Sequence, residues 1–405
     1  MGGAKGVLVL NAGSSSVKFA LFERGGPDRL ELRVRGEIES IDDAPHFIAE
    51  APDRSVLTER RWSAAGHPGY DDLLRYLITW AETHLGGDEL IATGHRVAHG
   101  GMTYSQPALV TERMLRDLAA LLPLAPLHLP HNLAAIEALR RTHPNLPQVA
   151  CFDTAFHQTQ PRVARLFGIP RKLAEEGVVR YGFHGLSYEY IAGVLPRYDQ
   201  RAASGRTIVA HLGSGASLCA MLDRRSVATT LGFGGLDGLL MGTRCGSLDP
   251  EVVIYLLREK KMTPDAVDRL LEKESGLLGV SGISADMRTL LQSSGPDAQE
   301  AIELFVYRIV RETGSMVTAA GGIDAFVFTA GIGEHAWQIR RDVCARLGCL
   351  GIELDEVANR ADEARISSAR STTSVLVIPT DEELMIARHT IAVVDAENAA
   401  RSTAR

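Results

Sequence analysis

Short apolar runs alternate along this chain with longer stretches of helical period. From Val7 to Phe22 the sequence reads VLVLNAGSSSVKFALF: two apolar runs of strand length, separated by small and polar residues, with a lysine, Lys18, at the head of the second. That pattern predicts two strands joined by a tight turn. QVACFDTAF, TIVAHL, AFVFTA and SVLVIP also read as strands. LITWAETHL, LAAIEALRRTH and AIELFVYRIVRETGSMVTAA carry apolar residues at three-to-four spacing and predict amphipathic helices. Strands alternating with helices predict an α/β architecture.

The opening pattern recurs. TIVAHLGSGASLCAML, from Thr207 to Leu222, aligns without gaps on the first stretch, with Gly213 and Ser214 falling on Gly13 and Ser14, and Ala220 on Ala20. A strand, Gly/Ser turn, strand unit therefore heads each of two halves. Such a turn lacks bulk, so backbone N–H groups and short hydroxyls can approach an anion. A single copy reads more simply as an ordinary Gly/Ser hairpin, because those residues are common in turns. Two copies at corresponding places favour the anion reading. A third element, AFVFTAGIGEH from Ala325 to His335, runs a strand into a Gly-x-Gly turn, a geometry compatible with a nucleotide.

With 405 residues the chain is long enough for two or three domains. The weakest point between the halves is THPNLPQ, Thr142 to Gln148, where two prolines interrupt a helical pattern. Apolar residues make up 45% and charged residues 23%, which suits a globular protein rather than a disordered one. A net charge of −7 without a basic run argues against nucleic acid as a partner. The brief VLVL run is too short for a signal peptide, and no apolar stretch has the length to cross a bilayer, so the expected location is the cytoplasm. Cys151, Cys219, Cys245, Cys344 and Cys349 form no C-x-x-C pair and read as reduced structural thiols.

In order, NAGSSSVKF, GHRVAHGG, APLHLPHNL, CFDTAFH, YGFHG, HLGSGAS, MGTRCGSLDP, SADMR, FTAGIGE and IPTDEELMIAR resemble the characteristic segments of the acetate kinase family. The resemblance spans almost the whole chain. It implies two ribonuclease-H-like domains of the actin, sugar kinase and chaperone ATPase superfold, with a nucleotide cleft between them. The implied division is residues 1–150 plus 381–405 and residues 151–380, the second domain also carrying a homodimer contact. The implied reaction is reversible transfer of the γ-phosphoryl group of ATP to the carboxylate of acetate, giving acetyl phosphate and ADP, with Mg2+ or alternatively Mn2+.

A carboxylate acceptor is already ionised at neutral pH and needs no general base. The difficulty is repulsion between two anions, which calls for cations and donors around the transferring group. The resemblance assigns Arg96 to the acid and Arg244 to the phosphoryl oxygens, tasks that suit a planar guanidinium fork. It assigns His184 as a donor to the phosphoryl group, Asp153 to magnesium or its water or to proton handling, and Asn11 and Glu382 to the metal. Ala98, Leu127, His128, Phe183 and Gly235 are implied at the acid. Ser14, Ser16 and Lys18, the segment His211, Leu212, Gly213, Ser214 and Gly215, then Asp286, Met287 and Arg288, and Gly331, Ile332, Gly333, Glu334 and His335 complete the implied nucleotide cradle. Plainer readings exist for several of these. An arbitrary arginine is a solvated charge, a lone histidine is structural, and Thr380-Asp381-Glu382-Glu383 reads as a T-x-x-E capping box ahead of an apolar helix.

The chain departs from the family pattern at Leu129 (usually Asn), Ser214 (Asn), Cys245 (Ser) and Ser247 (Asp), and in the acid pocket at Ala98 (Val) and Gly235 (Pro). The last two remove bulk, and imply room for propionate or butyrate. Two other functions stay open at this level: a kinase acting on a sugar hydroxyl, which would need a base, and a nucleotide-operated clamp, which would need a further binding domain.

Overall fold

A computed structural model of the chain describes residues 5–13, 16–26, 29–41, 43–63, 68–85, 89–125 and 128–403. The strands among them are β1 (Lys5–Ala12), β2 (Ser16–Arg24), β3 (Leu30–Glu39), β4 (His46–Glu50), β5 (Val56–Arg61), β6 (Glu89–Val97), β7 (Ala108–Leu109), β8 (Gln148–Phe152), β9 (Arg206–Leu212), β10 (Ala216–Leu222), β11 (Arg225–Thr229), β12 (Ala325–Thr329) and β13 (Ser374–Val377). The chain divides into two compact units, Met1–Ala155 with Asp381–Arg405, and Phe156–Thr380.

Each unit is built on one sheet. The first has the order β5-β4-β3-β2-β1-β6-β8-β7 and the second β11-β10-β9-β12-β13. Within the first, β3-β2-β1-β6-β8 repeats the plan of the whole second sheet: an antiparallel hairpin with a third antiparallel strand on one side, and two parallel strands on the other. The sequence repeat is thus a structural one, and the doubled ribonuclease-H-like plan matches the expectation. β1 is buried from Gly6 to Leu10, as a continuous apolar run at the centre of a sheet should be. β5, VLTERR, carries exposed charges along an outer edge, which discourages further strand pairing.

β8 lies against β6 from Thr93 opposite Gln148 to Val97 opposite Phe152. A boundary between residues 150 and 151 would cut this ladder, so the first unit runs on to Ala155. The proline-containing stretch Thr142–Gln148 is accordingly a loop inside the first unit, between the helix Leu129–Thr142 and β8.

Helices cover the sheets. In the first unit, Leu73, Leu74, Leu77 and Ile78 of helix Tyr70–His84 pack on Leu8, Phe19, Leu21 and Phe47. In the second, alternate residues of β9 and β10 face opposite ways, as strand geometry requires. Ile208, Ala210, Leu218 and Ala220 meet Phe305 and Ile309 of helix Pro296–Ala320. Val209, Cys219 and Met221 meet Tyr188, Ile191 and Leu195 of helix Gly185–Tyr198. The helix Glu382–Thr403 belongs to the first unit and comes very close to β6 at Gly94, where a Cβ would lie 2.2 Å from Thr390 Oγ1. Among the described residues no helix is long and apolar enough to cross a membrane.

Candidate active site

In the first unit, three adjacent parallel strands, β1, β6 and β8, deliver polar side chains at their C-terminal ends, where α/β sheets place ligands. Asn11 is next to last in β1, Arg96 is next to last in β6, and Asp153 follows β8, its amide extending the ladder to the Val97 carbonyl at 3.0 Å. Arg96 donates from Nε to Asp153 Oδ1 at 3.1 Å and from Nη2 to Oδ2, while its Nη1 donates to Asn11 Oδ1 at 3.3 Å. Glu382 Oε2 stands 3.7 Å from Arg96 Nε.

The electrostatics follow from burial and crowding. Desolvation works against the charge of Arg96, but Asp153 and Glu382 outweigh it and raise the guanidinium above its ordinary value. Burial pushes the Glu382 carboxyl up to about 7; Arg96 and Lys18 oppose that shift, and Asp153 and Glu383 add to it. Carboxylates therefore crowd around one strongly held arginine. Among the described residues no cluster of three or more His, Cys, Asp or Glu forms a protein cage for a metal. Mg2+ does not need one, since it keeps several waters and binds through one or two carboxylates plus phosphates. A divalent cation would relieve the crowding that raises Glu382, so the donor set of Asn11, Asp153 and Glu382 fits it.

Lys18 is exposed in β2, opposite Asn11, and the Gly13 amide closes the turn onto the Ser16 carbonyl at 2.8 Å. Ala98 is buried, His128 is exposed just before helix Leu129–Thr142, and Ser14 and Leu127 lie outside the described residues.

The second unit gathers a separate group. His184, in the left-handed region at φ 59°, starts helix Gly185–Tyr198 and stacks on His211 with ring centroids 4.1 Å apart. His211 and Leu212 end β9, and the Gly213 amide donates to the Gly215 carbonyl at 3.0 Å across the turn. Ser214 at the tip is exposed, and its carbonyl accepts from the Gly242 amide at 3.0 Å. Arg244 donates from Nη1 to the Gly235 carbonyl at 2.7 Å. A Cβ on Gly215 would lie 2.6 Å from Arg244 Nη2 and 3.2 Å from His184 Nε2, so the two side chains meet over bare backbone. Phe183 is buried. Asp286 and Arg288 are exposed and paired at 3.1 Å, with Asp286 capping the helix Met287–Gln292.

Two residues expected at the nucleotide have side chains held by the protein itself, and a predicted helix cap forms differently. The Met287 side chain is buried in the apolar core of its unit. The segment Gly331–His335, predicted as a turn, lies in the short helix Ala330–His335, and the Glu334 carboxylate is engaged by the protein itself, accepting from the amides of Ala330 at 2.8 Å and Thr380 at 3.2 Å. That bond holds Ala330 at φ 63°, a strained position for a residue with a Cβ. The predicted capping box does not form, because Asp381, one residue later than Thr380, accepts from the Leu384 amide at 2.9 Å.

Other supporting residues escaped the sequence reading. Buried Asn132 accepts from the Ala98 amide at 2.9 Å and donates to the Ala12 carbonyl at 2.8 Å, tying the ends of β6 and β1 together. Its only signal was its place within APLHLPHNL. Ser217 accompanies His184 and falls on Val17 in the repeat; a hydroxyl where the first copy has an apolar residue was the available clue. Fully buried Arg340 donates to the carbonyls of Gly333 and Glu334 at 3.0 and 2.7 Å and to Asn359 and Asp362, bracing the short helix Ala330–His335. Burial pushes the Cys219 and Cys344 thiols up to about 12, consistent with structural cysteines.

Comparison with known proteins adds to this geometry. The chain is 56% identical over 393 residues to the acetate kinase of Rhodopseudomonas palustris, covering 96% of this chain and 98% of that one. Among solved structures it resembles a propionate kinase from Francisella tularensis, with a TM-score of 0.89 and 36% identity over 96% of this chain and 100% of that one. It also resembles the Porphyromonas gingivalis acetate kinase, with a TM-score of 0.85 and 32% identity over the same shares. The profile of the Acetokinase family matches residues 6–388, and with strands, turns and polar groups disposed as described, the chain belongs to that family.

Proposed function

We propose that the chain catalyses reversible phosphoryl transfer between ATP and acetate. An acetate oxygen attacks the γ-phosphorus, the bond from that phosphorus to the β,γ-bridging oxygen breaks, and ADP leaves with the electron pair. The observation that carries this reading is the double hydrogen bond from Arg96 to Asp153. The pair puts a guanidinium, an anion binder, where the acid would lie, rather than an unpaired carboxylate serving as the base that a sugar hydroxyl would require. An ionised acid needs no such base.

Arg96 orients the acid, with Ala98, Leu127, His128, Phe183 and Gly235 shaping its surroundings. Arg244 and His184 donate to the phosphoryl oxygens. Lys18 supplies a point charge for the phosphates, Ser14, Ser16 and the turn His211–Gly215 offer small donors, and Gly331–His335 with Asp286 and Arg288 receives the nucleoside. Asn11, Asp153 and Glu382 would hold Mg2+ or Mn2+ directly or through its waters. When bound, that ion neutralises phosphate charge. A cytoplasmic enzyme acting as a homodimer is the assembly this reading implies. The helix Pro250–Arg258 supports the dimer, since it buries no residue and exposes Val252, Ile254, Tyr255 and Leu257.

The deciding experiment incubates the protein with ATP, Mg2+ and acetate and traps acyl phosphate with hydroxylamine. Trapped product that disappears without Mg2+ or without the acid supports the reading, while hexose-dependent ADP release without it favours the sugar kinase. Propionate is a second reading, favoured by the small residues Ala98 and Gly235. Each extra buried methylene is worth about 0.8 kcal/mol. A clear kcat/KM preference for acetate over propionate and butyrate ends it. Light scattering of the wild type and of Ile254→Glu tests the dimer.

A further inference from the structure

Between β11 and the helix Pro250–Arg258 the chain runs through residues 230–249 with neither helix nor strand, and this loop carries both Gly235 and Arg244. A loop without regular structure holds a side chain in place only if its own polar groups are tied down. Asp237, which has no part in the roles above, does much of the tying. Its Oδ2 accepts from Arg180 Nη1 at 3.0 Å, and its Oδ1 accepts from the Ser247 hydroxyl and the Gly238 amide, both at 2.8 Å. Arg180 is anchored in turn, its Nη1 standing 2.9 and 3.0 Å from the carbonyls of Thr230 and Leu231, just past β11. The Ser247 amide donates to the Gly238 carbonyl at 2.9 Å and closes the loop on itself. Gly238 has φ 91°, and a Cβ there would lie 2.8 Å from the Thr230 carbonyl, so bare backbone is pressed against the end of the strand.

One carboxylate thus gathers donors from the segment before β9, from the far end of the loop and from its own backbone. The stretch around Arg244 is fastened by other means. The amides of Leu277 and Leu278 donate to the carbonyls of Met241 and Gly242 at 2.8 and 3.0 Å, and the Cys245 amide donates to the Leu271 carbonyl at 3.1 Å. The two fastened stretches meet where Arg244 Nη1 donates to the Gly235 carbonyl at 2.7 Å. They meet closely, since a Cβ on Gly235 would lie 2.8 Å from Nη1. A long arginine side chain is aimed by the acceptors that hold it, and Gly235 has no side chain with which to hold its own carbonyl still. Asp237, two residues on, is what fixes that end of the contact.

We propose that Asp237 is a positioning residue: braced by Arg180 and Ser247, it sets the Gly235 carbonyl and through it the direction of the Arg244 guanidinium. The proposal rests on the reading of Arg244 as a donor to the transferring phosphoryl group. It deepens that reading by naming what aims the donor.

The test uses the full-length protein. Asp237→Asn keeps the size of the side chain but leaves one oxygen where two are used, and Ser247→Ala, the milder change, removes one donor to Oδ1. Asp237→Asn should lower kcat by about tenfold or more, with KM for ATP changed less than twofold, and Ser247→Ala should lower kcat by about threefold in the same manner. Because Asp237 acts through Arg244, adding either change to Arg244→Ala should lower kcat no further, a result that a general loosening of the fold would not give. A crystal structure of Asp237→Asn should show Arg244 Nη1 moved out of hydrogen-bond distance of the Gly235 carbonyl; a bond kept at 2.7 Å overturns the proposal without any kinetics. Wild-type kcat in folded Asp237→Asn, or in Ser247→Ala where the first variant does not fold, also overturns it, and an inactive Arg244→Ala would then leave the role of Arg244 standing. If Arg244→Ala is itself fully active, the role of Arg244 fails, and the crystal structure still judges the positioning.

Discussion

Arg96 and Asp153 are joined by two hydrogen bonds, Nε to Oδ1 at 3.1 Å and Nη2 to Oδ2, at the ends of two neighbouring parallel strands. The pair is made by register: Arg96 lies opposite Cys151, and Asp153 continues the same ladder two residues on. Replacing Arg96 by lysine keeps the charge but cannot grip two oxygens at once. Arg96→Lys is therefore expected to lower kcat by about 100-fold or more with the fold intact. Steady-state kinetics alongside circular dichroism check it, and near-normal kcat would remove Arg96 from the chemistry.

Gly215 leaves room in front of two donors. An added methyl would press on Arg244 Nη2 and His184 Nε2. Gly215→Ala should lower kcat/KM for ATP by about tenfold or more while moving the thermal midpoint little, because the crowding falls on the site rather than on the core. Unchanged kinetics would show that no substrate group occupies that space.

Gly94 lets the C-terminal helix seat on β6. A Cβ there would be 2.2 Å from Thr390 Oγ1 and 2.6 Å from the Ile386 side chain. Gly94→Ala should destabilise by about 1–3 kcal/mol, the range for overpacking a close contact. Urea unfolding measures it, and a second change, Thr390→Ala, should return part of the loss.

Arg340 is fully buried with its donors spent on Gly333, Glu334, Asn359 and Asp362. Arg340→Met strips those acceptors of their partner at a buried place, which should cost about 3 kcal/mol or more. The same variant should raise KM for ATP, since the short helix Ala330–His335 loses its brace. A stable variant with unaltered KM would count against both statements.

Acid should weaken the fold through three buried histidines. His95, His99 and His157 are buried, and burial lowers each from 6.5 to about 4. Between those values the unfolded chain binds the protons and the native chain does not, so stability is complete above pH 6.5 and is lost as pH falls toward 4. Each histidine can withdraw up to about 3 kcal/mol across that range. Urea midpoints measured from pH 7.5 down to 5 should fall steadily; a flat profile would mean that these rings are protonated in the native state or open readily to water.

Much of this was legible in the chain because it depends on short-range pattern. Apolar runs of strand length, a Gly/Ser turn and its second copy two hundred positions later are local facts. They carry the doubled architecture because a buried strand must be apolar on both faces and a backbone turn near an anion must be small. The residue types around Arg96, His184 and Arg244 were legible for the same reason, as polar side chains set among glycines in apolar surroundings.

The supporting details were decided only by tertiary structure. The Pro-interrupted stretch Thr142–Gln148 looked like a joint, yet β8 finds its partner in β6, fifty-odd residues earlier, and stays in the first unit. Nothing local in Ser217, Asn132 or Arg340 marks them as partners of His184, the Ala98 amide or the helix Ala330–His335. Glu334 was read as part of the nucleotide turn, and only the folded chain shows its carboxylate turned back on the amides of Ala330 and Thr380. Hydrogen-bond partners at such separations are set by which strands lie side by side and which helix faces which sheet, and a linear pattern of polar and apolar residues carries no information about that pairing.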